Sequence, residues 1–406
     1  TFTTSATTIQ LGGNLNLADS WSSTTTNLSL TADAELSSTS AVEAATLQSN
    51  GFNFKLASVT SDLTLANAFA LSSGTISTQG ADLVFAGSAD ISSGATLDAS
   101  VSSGTGGKLE FRQGGTSSGT INAENATFKI GTAYTVTGTL KTNSTTSLDL
   151  GTSNLDLSGG TLELGGNVTL DQILTNNQTT FKLNQNTTAT RNSVFTLGVL
   201  NLEGNALTLG SATTDLTMKE GYWLENGKLA MGGGTLTLNG GGVKSGGELN
   251  LSNSILAISG KFQNDGGTLT TSGSTLRLTG NTELANGGPL TFSDYEADGW
   301  GLKLHDSATH LTLGGNVLLQ PKAVVSNDKA LDFDGSNDYV TTPIDADLQA
   351  MPSTTFSGWI KPAGTSSWQM IFGMEDGGWD RFLAMENGGL GLSMGRTDDR
   401  WQTGAS

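Results

Sequence analysis

Along most of the chain, apolar and polar positions alternate in short triplets. Leu15, Asn16 and Leu17 form one; Leu63, Thr64 and Leu65 another. The pattern recurs at Leu148–Leu150, Leu155–Leu157, Leu162–Leu164, Leu207–Leu209 and Leu311–Leu313. A period of two predicts short strands with one buried face. Gly, Ser, Asn and Asp between the triplets supply turns. The three- and four-residue spacing of an amphipathic helix is missing from these segments.

Between 229 and 292 the triplets fall into a longer period. Leu229, Leu249, Leu269 and Leu290 open successive units. Seven residues on come Leu236, Leu256 and Leu276, followed two residues later by Leu238, Ile258 and Leu278. A third apolar position is expected at Val243, Phe262 and Leu284, and each unit closes on a glycine pair, at 246–247, 266–267 and 287–288. Three short strands in about 20 residues describe one coil of a three-sided, right-handed parallel β-solenoid. Strands of successive coils then pair about 4.8 Å apart, so leucine stacks on leucine inside, and Thr, Asn and Ser form outer ladders. Glycines at the corners supply positive φ. About 16 coils are expected over residues 1–326, with departures near 50–60, 105–115 and 294–305. This region resembles bacterial extracellular parallel β-solenoid stalks.

Composition supports this reading. Of 406 residues 55 are glycine and none is cysteine, and the net charge is −18. Without cysteine there is no disulfide framework and no thiolate metal site. With 19 Lys+Arg against 37 Asp+Glu, nucleic acid is not an expected partner. No apolar run approaches the ~18 residues of a membrane span. Hydrophobic residues are 35% of the chain, and their regular placement argues against disorder.

Composition shifts near 327. The last 80 residues hold four of the seven tryptophans, five of the seven methionines and three of the five prolines. Two domains follow: a solenoid over 1–326 and a differently built segment over 327–406. Within the latter, Ala330 to Val340 reads ALDFDGSNDYV, and Thr354 to Pro362 reads TTFSGWIKP. The pair resembles the opening of a laminin-G-like, concanavalin-type jelly roll. Met370–Gly373 and Gly389–Leu392 sit where that family's next strands would fall. The resemblance covers the N-terminal part of such a β-sandwich, so an incomplete sandwich is expected, with the natural protein continuing past 406.

That family implies glycan or protein binding, often with calcium at the rim. Asp332, Asp334, Asn337 and Asp338 are oxygen ligands in one short turn, chemically suited to calcium. A plain strand and turn accounts for them better than calcium does, and no other cofactor is expected. Trp368, Trp379 and Trp401 lie in turn-rich stretches and are candidates for stacking on sugar, whereas Trp359 fits a core strand. Tyr222, Trp223 and Trp300 are further aromatic candidates.

Catalytic patterns are weak. His305 and His310 are the only histidines, and a metal centre needs three convergent ligands. No Gly-x-Ser-x-Gly elbow occurs. Acids such as Glu110, Asp149, Asp156, Glu163 and Asp171 look singly scattered. Asp149, Asp156 and Glu163 are seven apart, which places them on three different sides of the tube, unlike the paired carboxylates of glycoside cleavage. Asn-x-Ser/Thr sequons, seven in number from Asn27 to Asn250, are what an Asn- and Thr-rich chain produces by chance.

The expectation is a non-enzymatic, extracellular surface protein: a stalk that self-associates head to tail into filaments and carries a binding module. The alternatives are a glycan-binding adhesin on a monomeric stalk and, at lower weight, a polysaccharide-active enzyme.

Overall fold

A computed structural model describes residues 7–319, apart from 103, 105, 220 and 306, and the strands at 340–341, 369–373, 381–386, 389–394 and 400–403. The described residues contain strands and turns and no α-helix. The chain divides into two compact units, Thr1–Thr341 and Thr342–Ser406.

The first unit is a parallel β-solenoid of about 15 turns. One coil runs through Thr75–Ser77, Leu83–Phe85 and Ala89–Ile91, one strand on each of three sides. It then returns to the first side at Thr96–Asp98, which pairs in parallel with Thr75–Ser77. The first side is a single 14-stranded sheet from Leu15–Leu17 to Thr268–Thr270. In the later coils the other two sides merge. Strands Ile255–Asn264 and Thr275–Asn286 each run around the corner between them, with a register shift at Ile258/Gly260.

Register follows the leucine periodicity. Leu229, Leu249 and Leu269 are Cα partners in one column, and Leu236, Leu256 and Leu276 in another. Leu238, Ile258 and Leu278 form a third. The apolar interior is one contiguous cluster from Leu11 to Leu313. Aromatic residues stack inside it as well. The rings of Phe69 and Phe85 are 4.9 Å apart, those of Phe85 and Phe111 5.1 Å, and Phe111 also meets Tyr134 at 4.4 Å. The coil rise brings like rings to offset-stacking distance, which adds to their area burial.

Two details of the expected repeat are corrected. Val243 is not the third interior position. It pairs with Gln263 on the outer face and is half-buried, while the interior slot opposite Phe262 is Gly242. Tyr222 lies beneath that slot, and a Cβ on Gly242 would stand 2.8 Å from Tyr222 Cβ. A large–small–large sequence therefore replaces the expected apolar ladder. The fourth unit does not extend the first sheet either. That sheet ends at Thr268–Thr270, and Leu290 lies in Pro289–Phe292, which starts a new sheet. Pro289 has no N–H to donate to the preceding coil. Gly287 and Gly288 have ordinary φ, and a Cβ on either meets nothing within 4 Å, so this pair is not a glycine-requiring corner.

Elsewhere glycine serves two separate needs. Gly94 takes φ +85° with open space around it. Gly138 has ordinary φ, but a Cβ there would lie 2.0 Å from the Gly119 carbonyl oxygen of the coil below. Part of the glycine excess thus reflects close approach of stacked backbones rather than corner conformation.

Polar side chains link the coils in two ways. An aspartate just before a strand accepts a backbone N–H from the next coil: Asp33 from Asn53 at 2.8 Å, Asp62 from Asp82 at 2.8 Å, Asp215 from Thr235 at 2.6 Å. An Asx residue ending a strand of the first sheet instead closes its own corner, as Asp98 does with the Ser100 N–H and Asn250 with the Ser252 N–H.

The acids are also not singly scattered: most ion pairs join register partners on adjacent coils. Examples are Glu35–Lys55 at 3.1 Å, Lys129–Asp149 at 3.0 Å and Lys228–Glu248 at 2.8 Å. Glu163 sits between Lys141 and Lys182, at 3.8 Å from each. Each such exposed rung is worth only about 0.2–1 kcal/mol, but opposite charges avoid the repulsion that stacking like on like would impose.

In the second unit the described strands form one antiparallel sheet in the order Gln369–Gly373, Arg381–Glu386, Gly389–Met394, Arg400–Thr403. The expected strands at 370–373 and 389–392 fall within it. The expected junction at 326/327 lies outside the described residues. Val340 and Thr341 pair in parallel with Leu311 and Thr312 of the solenoid.

The two glycine roles respond differently to substitution. Gly94→Ala costs about 1–2 kcal/mol from its left-handed backbone, and Gly94→Asn recovers part of it. Gly138→Ala forces a coil to shift, about 1–3 kcal/mol or more, and Gly138→Asn is worse. Urea denaturation of the four variants checks this, and equal losses at both sites would contradict it. Phe111→Ala, which opens a cavity in the middle of the aromatic stack, is expected to cost about 3–5 kcal/mol in the same assay.

Candidate functional site

The sequence candidates separate sharply by position. Asp332, Asp334, Asn337 and Asp338 lie outside the described residues, as do Trp359, Trp368 and Trp379. Trp401 is on the strand Arg400–Thr403, with its Cα opposite Leu392. Among the described residues no group of three or more His, Cys, Asp or Glu is placed to hold a metal ion. Asp149, Asp156 and Glu163 lie in three different sheets, as their spacing implies. His305 follows the strand Leu302–Leu304, while His310 begins a strand of another sheet. Trp300 is partly buried and packs against the core.

Strand alternation splits the Tyr222–Trp223 pair. Tyr222 points inward, 4% exposed. Trp223 points outward, 63% exposed. Trp223 belongs to the short strand Trp223–Leu224, whose register partners are Val243 and Lys244. Val243 in turn faces Gln263, and Gln263 faces Ala285. One row outside the apolar core thus climbs through Trp223, Val243 and Gln263 and ends at the buried Ala285.

A groove of about 490 Å³ opens beside the start of this row. Val199, Leu200, Met218, Trp223 and Val243 supply its apolar lining; Lys261 and Gln263 supply polar groups. Its lining also includes Gly198, Gly221, Gly240 and Gly242. These glycines place no side chains in the space, so the stack is indented here. Val199 is 52% exposed, so a second apolar residue faces solvent beside Trp223. Tyr222 also lines the groove, and its hydroxyl oxygen is buried with no hydrogen-bond partner among the described residues. Burial pushes that phenol well above its ordinary value, so it stays protonated.

Next to the groove runs a charged row. Lys261, Glu283 and Lys303 are register partners on three coils. Glu283 lies 3.9 Å from Lys261 and 3.5 Å from Lys303, and it also bonds His305 Nδ1. Burial raises the Glu283 carboxyl, but the His305 bond and the lysine charges outweigh it and hold the group below the usual carboxylate range. Glu110 is held down in the same way: burial is outweighed by Lys108 at 3.1 Å and Arg112 at 3.4 Å.

The next inward row is unusual for a solenoid interior. Leu224 and Lys244 are register partners, and so are Lys244 and Asn264, then Asn264 and Asn286. Lys244 is 0% exposed and donates from Nζ to the Gly266 carbonyl. Burial moves its ammonium below the ordinary lysine value. Asn264 Nδ2 donates to Asn286 Oδ1. Sequence reading missed this seam because Val243 was assigned to the interior, which turned Lys244 outward.

No family model, curated protein or solved structure matches the chain. Function therefore has to be argued from the geometry.

The Glu283 and Glu110 clusters give the solenoid an acid limb of stability. Each carboxyl is easier to protonate unfolded, near its ordinary value of about 4.5, than folded. Their contribution is complete above that pH and is lost as pH falls through the lower folded value. Glu110→Gln with Glu283→Gln is expected to flatten the fall of the urea midpoint below pH 4.5. A curve that runs parallel to wild type at every pH would contradict it.

Proposed function

We propose that the first unit is the structural stalk of an extracellular surface protein, with the second unit as a laminin-G-like binding module, and that neither is an enzyme. The observation that carries this reading is the single apolar core running from Leu11 to Leu313 without a break. The strands of each coil pair with those of its neighbours, so added coils lengthen the solenoid without widening it. About 15 turns at a rise near 4.8 Å make a stack of roughly 70 Å. That is the construction of a spacer, and it folds without disulfides because the chain has no cysteine.

Self-association of stalks into filaments belongs to the same reading. It is supported by side faces of Thr, Ser and Asn on which most of the described basic residues are ion-paired, as in Lys141–Glu163–Lys182 and Lys228–Glu248. Pairing of this kind lowers the cost of stripping water from those cations.

Electron microscopy of the full chain across a concentration series tests both parts. Uniform filaments with an axial repeat near one subunit's length are expected. Dispersed single rods at high concentration would remove the filament and leave the stalk. Compact particles with no rod would overturn the stalk itself.

A further inference from the structure

We propose that the groove beside Trp223 is a polysaccharide-binding site on the stalk itself, distinct from any site in the second unit. It goes beyond the stalk reading and does not depend on filament formation.

Three observations converge. First, Trp223 holds a 63% exposed indole at the groove, although tryptophan is costly to leave in water and the coil offers an interior. Second, Val199 and Val243 extend the apolar surface, while Lys261 and Gln263 place an ammonium and an amide beside it. Third, the groove of about 490 Å³ leaves room beside the indole for a sugar ring.

A pyranose ring matches this mixture. Its C–H face is apolar and stacks on an aromatic ring, while its hydroxyls, donors and acceptors at once, point outward from the ring edge. Gln263 can both donate and accept, and Lys261 can donate. Gln263 already donates to Asp265 at 2.7 Å and Lys261 lies 3.9 Å from Glu283, so sugar hydroxyls would join polar groups that are held in place. Single-stranded nucleic acid would also stack on Trp223, but the net charge of −18 opposes it.

The charged row favours a chain over a single sugar. Lys261, Glu283 and Lys303 continue from the groove along the coil axis, one residue per coil. A linear glycan lying along that axis meets a polar side chain every ~4.8 Å. Neutral and uronate-bearing chains share the stacking chemistry and differ in how they use the two lysines.

Affinity electrophoresis and calorimetry of the full chain test this with soluble β-glucan, mannan and polyuronate, followed by a glycan array. At least one polysaccharide is expected to bind. Trp223→Ala should weaken binding at least tenfold, in line with ~1–3 kcal/mol per aromatic stack. Trp223→Phe should keep most of it. Since Trp223 is exposed, both variants should retain the wild-type urea midpoint. Lys261→Met with Lys303→Met should weaken a polyuronate more than a neutral glucan. No binding across the array would overturn the proposal. So would binding that survives Trp223→Ala but is lost with Trp401→Ala, which would assign the glycan to the second unit. Rods in the microscope with no glycan binding would leave the stalk standing and remove only the site.

Discussion

Parallel stacking at about 4.8 Å governs this molecule, because it places every residue directly over its equivalent one coil away. Chemistry that tolerates its own image can be repeated, as in the Leu229–Leu249–Leu269 column. Aromatic rings tolerate it too when offset, as Phe69, Phe85 and Phe111 do. Chemistry that repels its own image must alternate. Ion-paired rows accordingly alternate in sign along the axis, through Lys141, Glu163 and Lys182, and again through Lys261, Glu283 and Lys303. Backbone at a tight corner must give up its side chain, which is the role of Gly138.

The same rule makes the departures informative. Where a coil breaks the column, space or polarity is left over. Gly242 between Tyr222 and Phe262, with Gly221 and Gly240 nearby, indents the surface and leaves Trp223 standing out. One position further along, Lys244 occupies an interior place and forms a polar seam with Asn264 and Asn286. Both features lie in the same coils, on adjacent rows of the same strands.

Much of the solenoid is legible in the sequence, because alternation and a near-constant coil length encode the interior columns directly. Leu236, Leu256 and Leu276 are register partners as their spacing implies. What the pattern hides is a shift of one residue. Val243 is apolar and near the right offset, so periodicity places it inside, yet Gly242 holds the slot. Glycine carries no hydropathy signal that would reveal this. The acid–base rungs are hidden for a different reason. Glu35 and Lys55, or Lys228 and Glu248, are 20 residues apart, and only the coil period makes them neighbours. Pro289, by contrast, is a plain signal that the first sheet cannot continue. Of the site residues, Trp223 was visible as one of an aromatic pair, and strand alternation alone decides which of the two faces water. The acidic turn at 332–338, Trp368 and Trp379 rest on the sequence resemblance alone.

The absence of cysteine makes the register directly measurable. With Lys228→Cys and Glu248→Cys, two thiols are introduced at Cα partners on the outer face of adjacent coils. Their Cα atoms lie within disulfide reach. With Lys228→Cys and Asn250→Cys, the second thiol is on the same strand and face but two residues further on, beyond that reach. In-register stacking predicts that mild oxidation crosslinks the first pair rapidly and the second pair slowly or not at all. Equal crosslinking of the two pairs, or a preference for the second, would contradict the stacked solenoid and everything built on it.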